Sequence, residues 1–268
     1  MQVRRPSVAG SFYPGNKSVL ERELEEYIEF ADTKKKVIGL ISPHAGYVYS
    51  AGCAGKGFGQ VDVPGTVIIL GVNHRGFGHP YAVDGNDAWS TPLGDAEIDT
   101  NLREKLVADS KIFAVDSTAG SSEHSLEVQV PFIQYINPDA KILPITISSH
   151  DANELIEGGK EIARLIKENA PGALIVASSD MSHYIDAETA KVQDNKAIEK
   201  ILSLDPGGLF NIVAKERISM CGVCPTTMML SAALDLGAQK AEIIDYTNSG
   251  EVSGDYHQVV AYLSMAVY

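Results

Sequence analysis

Cysteine is scarce and odd in number. Cys53, Cys221 and Cys224 are the only three in 268 residues, too few for an extracellular disulfide framework, so reduced thiols in a cytoplasm are expected. No stretch approaches the ~18 apolar residues of a membrane span, and the basic pair Arg4-Arg5 has no apolar run behind it to make an export signal. Positive charge is also in deficit: 22 Lys and Arg against 35 Asp and Glu give a net charge of −13. Without a basic stripe against that field, nucleic acid and anionic membrane surfaces are excluded as partners. Internal repeats, low-complexity tracts and long Pro/Gly/Ser linkers are missing too, which leaves residues 1–268 as one expected domain. Aromatic residues make up only 7%, yet 44% of the chain is hydrophobic. A large aliphatic core therefore needs neither disulfides nor a structural metal, and any metal would be functional.

What the sequence does have is alternation. Short aliphatic runs at 37–41, 66–70, 142–147, 174–177, 241–246 and 259–264 have the continuous apolarity of strands covered on both faces. Helical patterns separate them. Ser18 with Glu21 resembles a capping box ahead of Leu20, Leu24, Tyr27, Ile28 and Ala31; Asp151 opens a second helix that stops at Pro171-Gly172; Asp186 caps a third running to about Leu204. This order predicts an α/β fold with a mainly parallel or mixed central sheet flanked by helices on both faces, and a ligand cleft beyond the strands' carboxyl ends.

The histidines sharpen the prediction. Four strand runs end in Ser42-Pro43-His44, Gly71-Val72-Asn73-His74, Ser148-Ser149-His150 and Ser178-Ser179-Asp180-Met181-Ser182-His183. With 7 histidines in the chain, a five-residue window holds one about one time in eight by chance. Parallel strands bring their exits to one sheet edge, and imidazole is the commonest metal ligand, so the set reads as a transition-metal cleft. His150 is its weakest member, because it doubles as a helix start, and His79 reads as surface. In Glu123-His124-Ser125-Leu126-Glu127, His124 and Glu127 could share a helix face; His124 is an acid/base candidate. Cys221-Gly222-Val223-Cys224-Pro225 fits a thiolate ligand, a redox dithiol or two buried cysteines at a helix start. Cys53 sits among small residues as a packing position. Gly55-Lys56-Gly57-Phe58-Gly59 lacks dinucleotide-binding spacing, and no Gly-x-Ser-x-Gly elbow presents a nucleophile near Ser178.

Several segments together resemble one family, the Memo family, over essentially the whole chain. They are the opening Arg4 to Pro14, Ser42 to Gly52, Gly71 to His74, Glu123 to Glu127, Ser178 to His183 and Cys221 to Pro225. The resemblance implies a fold like that of the class III extradiol dioxygenases, which use non-haem iron. It also implies that His44, His74 and Cys221 are metal ligands, with Asp180 and His183 as polar neighbours. In the dioxygenases the third ligand is a carboxylate, where this chain has Cys221; thiolate ligation suits copper as well as iron. Two functions follow as expectations. One is a metal-dependent oxidoreductase with His183 as acid/base, oriented by Asp180 through a loop turn that brings carboxylate against imidazole. The other is a non-enzymatic protein whose cleft holds metal or accepts a small molecule or peptide.

Overall fold

Aliphatic runs bounded by turn residues form the strands, and segments with a side-chain cap and one apolar face form the helices. The computed structural model describes residues 1–108 and 110–268. The chain begins β1 (Val3–Arg4), α1 (Lys17–Tyr27), β2 (Gly39–Ser42), α2 (Tyr47–Gln60) and β3 (Thr66–Val72). Short elements follow: β4 (Tyr81–Val83), β5 (Ala88–Thr91), β6 (Gly94–Glu97), α3 (Thr100–Ala108), β7 (Ala114–Val115), α4 (Ser117–Gly120), α5 (His124–Glu127) and α6 (Val130–Ile136). The second half runs β8 (Lys141–Ile147), α7 (Ala152–Asn169), β9 (Leu174–Ser178), β10 (Asp180–Ile185), α8 (Ala187–Leu202), α9 (Pro206–Glu216), α10 (Val223–Asp235), β11 (Ala241–Asn248), α11 (Gly250–Ser253) and β12 (Val259–Val267).

Among the described residues, nine strands make the main sheet, in the order β10-β12-β2-β9-β3-β8-β4-β7, with β11 along the other edge of β12. The centre, β2-β9-β3-β8, is parallel, and β12 pairs antiparallel with β2, β10 and β11. The sheet is therefore mixed, as expected. A separate three-stranded sheet joins β1, β5 and β6.

Side chains on the central strands alternate between two cores, as the two-residue period requires. Leu40, Val67, Ile69, Leu174 and Val176 meet α1, α2 and α6, while Ile41, Ile68, Leu70, Ile175 and Ala177 meet α3, α7, α8, α9 and α10. Helices α7 and α10 approach closely at Gly159, where a Cβ would collide with the Met228 carbonyl and Ser231.

Two expectations need correction. Asn16, not Ser18, caps α1, accepting from the Ser18 and Val19 N–H groups, and the helix ends at Tyr27, short of Ala31. Residues 180–185, expected as a loop, form β10, because the last inner strand, β12, offers them a free edge. Asp151 and Asp186 cap α7 and α8 as expected.

Candidate metal cleft

Because β2, β9 and β3 are parallel neighbours, their carboxyl ends deliver His44, the Ser178-Ser179-Asp180 segment and His74 side by side. Cys221 reaches the same point from the loop before α10. Its neighbour Gly222 makes that approach possible, since any Cβ there would collide with the Ser178 carbonyl and Ser179. Donor atoms of His44, His74 and Cys221 all lie within 4.8 Å of one another, with His44 Nε2 3.1 Å from Cys221 Sγ.

The hydrogen bonds fix which imidazole nitrogens are free. Ser178 Oγ has one proton, and it donates it to the Ser125 carbonyl at 2.6 Å. Its contacts with Gln129 Nε2 and His44 Nδ1, each 2.9 Å, are then accepted bonds. His44 thus carries its proton on Nδ1 and turns an Nε2 lone pair toward Cys221. His74 donates from Nδ1 to Glu123 Oε1 at 2.9 Å, which leaves its Nε2 free. In His183, Nδ1 donates to the Ser219 carbonyl at 2.9 Å, with the same result.

Glu123 is fully buried. Burial would raise its pKa, but the bonds from His74 and the Ser125 N–H and the nearby imidazoles hold it down to about 2. Burial, reinforced by the neighbouring imidazoles, lowers His44 well below the usual histidine range. Burial also lowers His124, against the pull of Glu123. The Cys221 thiol is pushed well up by burial and by Asp180, and Asp180 itself is raised by burial. Neutral imidazoles and a thiol that a cation would deprotonate are the donors a borderline-soft transition metal prefers. Metal–ligand bonds of about 2.0–2.3 Å place ligand atoms roughly 3.3–3.8 Å apart, against 3.1 Å between His44 Nε2 and Cys221 Sγ and at most 4.8 Å across the three donors. The residues therefore fit a metal. A second group, His74, Glu123 and His124, also converges, but the Glu123 oxygens already accept from the ring and backbone N–H of His74 and from the Ser125 N–H.

The remaining expected residues divide. His124, Asp180 and His183 join His44 and His74 in lining a cavity of about 630 Å³. His124 stacks on His74 and meets Phe12 at a 47° tilt, with centroids 4.7 Å from each. Asp180 and His183 do not pair: two residues of extended strand, Met181 and Ser182, separate them, and Asp180 Oδ1 instead accepts from the His44 backbone N–H at 2.7 Å. Glu127 faces away from His124, toward Arg4, Ser7, Val8 and Tyr13. His150, at the end of β8, turns to Cys224 Sγ, 3.4 Å away. The thiols of Cys221 and Cys224 thus meet different histidines, and all three cysteines are free. Sequence reasoning passed over Glu123, Ser178 and Gln129. The signal for Ser178 was a polar residue closing an apolar strand, and for Glu123 its place immediately before His124.

A family model described as Memo-like protein matches residues 4–266, a span that contains every residue of this cleft. The chain belongs to the Memo-like family. Curated members include a MEMO1 family protein of Methanosarcina barkeri, 41% identical over 99% of this chain and 100% of that protein. One from Aquifex aeolicus is 42% identical over 99% of each. Among solved structures, an uncharacterized protein of Escherichia coli K12 aligns with a TM-score of 0.49 and 15% identity, over 84% of this chain and 98% of that one. Among the described residues, no helix is long and apolar enough to cross a membrane.

Proposed function

We propose that this family member holds one transition-metal ion, iron or copper, on His44 Nε2, His74 Nε2 and Cys221 Sγ, and uses it in oxidoreductase chemistry on a small ligand. The observation that carries this reading is the convergence of the three donors, with the proton of each histidine already committed to Nδ1. When bound, the metal would supply a Lewis acid and a redox centre with positions open to the cavity. The chain's own residues set the rest. Glu123 and Ser178 hold the two rings in register, a role whose loss typically weakens metal affinity 10–100-fold. The Asp180 backbone N–H, 3.3 Å from Cys221 Sγ, favours thiolate. His183, fixed by Ser219, turns a free Nε2 toward the cavity as a proton acceptor, and Phe12 and His124 line the same cavity.

Metal analysis of protein purified without oxygen, followed by oxygen uptake with candidate ligands, tests the reading. About one metal per chain is expected, lost in Cys221→Ser. Failure to bind Fe(II), Cu(I) or Cu(II) refutes it. One observation also favours a non-enzymatic metal-holding role in the same cleft: the thiolate and two imidazoles form a soft donor set suited to Cu(I). Stoichiometric Cu(I) with no turnover would select it.

A further inference from the structure

The outer half of the cavity has its own chemistry. Its wall comes from the first turn of α2, the β11–α11–β12 segment and the end of β10, and it includes Tyr49, Tyr184, Asp255, Gln258 and Tyr262. No lysine or arginine lines the cavity among the described residues; its acidic lining is Asp180 and Asp255, beside four histidines. Asp255 Oδ1 accepts from the His257 N–H at 2.8 Å, so one oxygen braces the loop and the other is open to a ligand.

A second observation points the same way. Tyr184 follows His183 on β10, where the pairing with β12 is irregular on both sides of His183. Its backbone lies in the left-handed region, φ 58°, a conformation that costs a tyrosine about 1 kcal/mol or more. The residue is nonetheless 73% exposed and lines the cavity. Among the aromatic rings of the described residues, its ring meets only the edge of His183, centroids 5.8 Å apart, so the core gains little from it there. Strain that leaves an aromatic side chain exposed in the lining of a cavity that also holds Asp255 makes sense when a ligand covers it.

We propose that this outer half is a subsite for a cationic amine carried on an aromatic or aliphatic body, with Asp255 as its counter-ion and Tyr184 and Tyr49 as its aromatic walls. The inference deepens the metal-cleft reading by naming the ligand's far end, but its recognition chemistry does not need the metal. An amine would gain an ion pair and cation–π contact. A carboxylate or phosphate at the same end would meet Asp255 with no compensating cation, in the field of a chain of net charge −13.

The test compares tyramine, its neutral alcohol analogue tyrosol, and 3-(4-hydroxyphenyl)propionate, which share a phenol and differ in the charge at the other end. Affinities are measured by ligand-observed NMR on full-length protein, metal-loaded and metal-free, with metal content determined on each sample. Tyramine should bind about fivefold to tenfold more tightly than tyrosol, with the propionate weakest, and added salt should shrink the gap. Asp255→Asn keeps the acceptor for His257, so it should erase the amine preference while tyrosol binding and metal content stay unchanged. Tyr184→Leu should weaken tyramine more than tyrosol. Equal or tighter propionate binding, an Asp255→Asn protein that keeps the amine preference, or no binding of tyramine to either form overturns the subsite. Loss of metal stoichiometry with the amine preference intact would overturn only the metal reading.

Discussion

Removing the Glu127 carboxylate should be among the most damaging single changes outside the cleft. Glu127 and Arg4 are 1% and 4% exposed at their side chains and meet at 2.7 Å. The carboxylate also accepts from the Ser7 N–H and hydroxyl, the Val8 N–H and the Tyr13 hydroxyl, all between 2.8 and 3.0 Å. Glu127→Leu deletes every one of these and strands a buried guanidinium, a loss that typically costs 3–5 kcal/mol. Unfolding entropy scales as about 2.1 cal/mol/K per residue, roughly 0.56 kcal/mol/K for this length, so the midpoint should fall by roughly 5–9 °C. Differential scanning calorimetry reads this directly. The double variant Arg4→Met/Glu127→Leu should recover much of the loss, since it removes the uncompensated charge along with its partner.

The same site has a pH signature. Burial opposes ionisation of Glu127, but Arg4 and the Ser7 and Val8 N–H groups outweigh it and hold the pKa below the ordinary 4.5. The folded state therefore binds fewer protons than the unfolded one in that range. Its stabilising contribution is full above about 4.5 and is lost as pH falls through the lower folded value. The stability gap between wild type and Glu127→Gln should close in acid. A neutral Glu127→Leu, or a double variant no better than the single one, would refute the account of Glu127 as the anchor of the N-terminal segment.

Cys221→Ser should abolish metal retention in a chelator competition, while Cys224→Ser, whose thiol faces His150, should leave it within about twofold; equal losses would favour a dithiol site. Glu123→Gln should weaken metal binding about 10–100-fold by isothermal titration with little change in far-UV circular dichroism, because it loosens the orientation of His74. His183→Ala should leave metal stoichiometry near one while abolishing turnover or metal-linked ligand binding, and stripping of the metal would move His183 into the coordination sphere. In metal-free protein, His44 and His124 have folded pKa values below the ordinary 6.5. Their contribution to stability should be full above that value and decline as pH falls below it, seen as a falling midpoint in calorimetry between about pH 7 and 5.

The buried strands were legible because two-sided burial leaves uninterrupted aliphatic runs; all six runs fall on strands of the sheet, but 241–246, which includes Glu242 and Asp245, is the half-exposed edge strand β11 rather than one covered on both faces. The convergence of His44 and His74 was legible for the same reason: both follow such runs. Strand order was not. β9 lies between β2 and β3, which no local pattern encodes, and β8 lies one strand further out, so His150 misses the cleft although its run looks like the others. Strand β10 was read as loop because its polar residues, Asp180, Ser182 and His183, find partners in His44, Asp194 and Ser219 that are distant in sequence. Glu127 was weighed as a partner of His124. Only the packed N-terminal segment reveals that it belongs to Arg4.

The last strand in chain order, β12, is an inner strand of the sheet, and this has a consequence for biosynthesis. A ribosome delivers β2, β3, β8 and β9 long before it delivers residues 259–267. Until then one side of β2 has no partner, and β10, which carries Asp180 and His183, has no strand to lie against. The Asp180–Tyr262 pairing that closes one wall of the cavity forms only once residues 259–267 have been delivered. Through most of translation the growing polypeptide exposes an open apolar sheet edge, a surface for chaperones to cover. The donors His44, His74 and Cys221 come from the ends of β2 and β3 and the loop before α10, so what the carboxyl-terminal hairpin adds is the β10 wall of the cavity, the part that would enclose a ligand rather than the part that would hold the proposed metal.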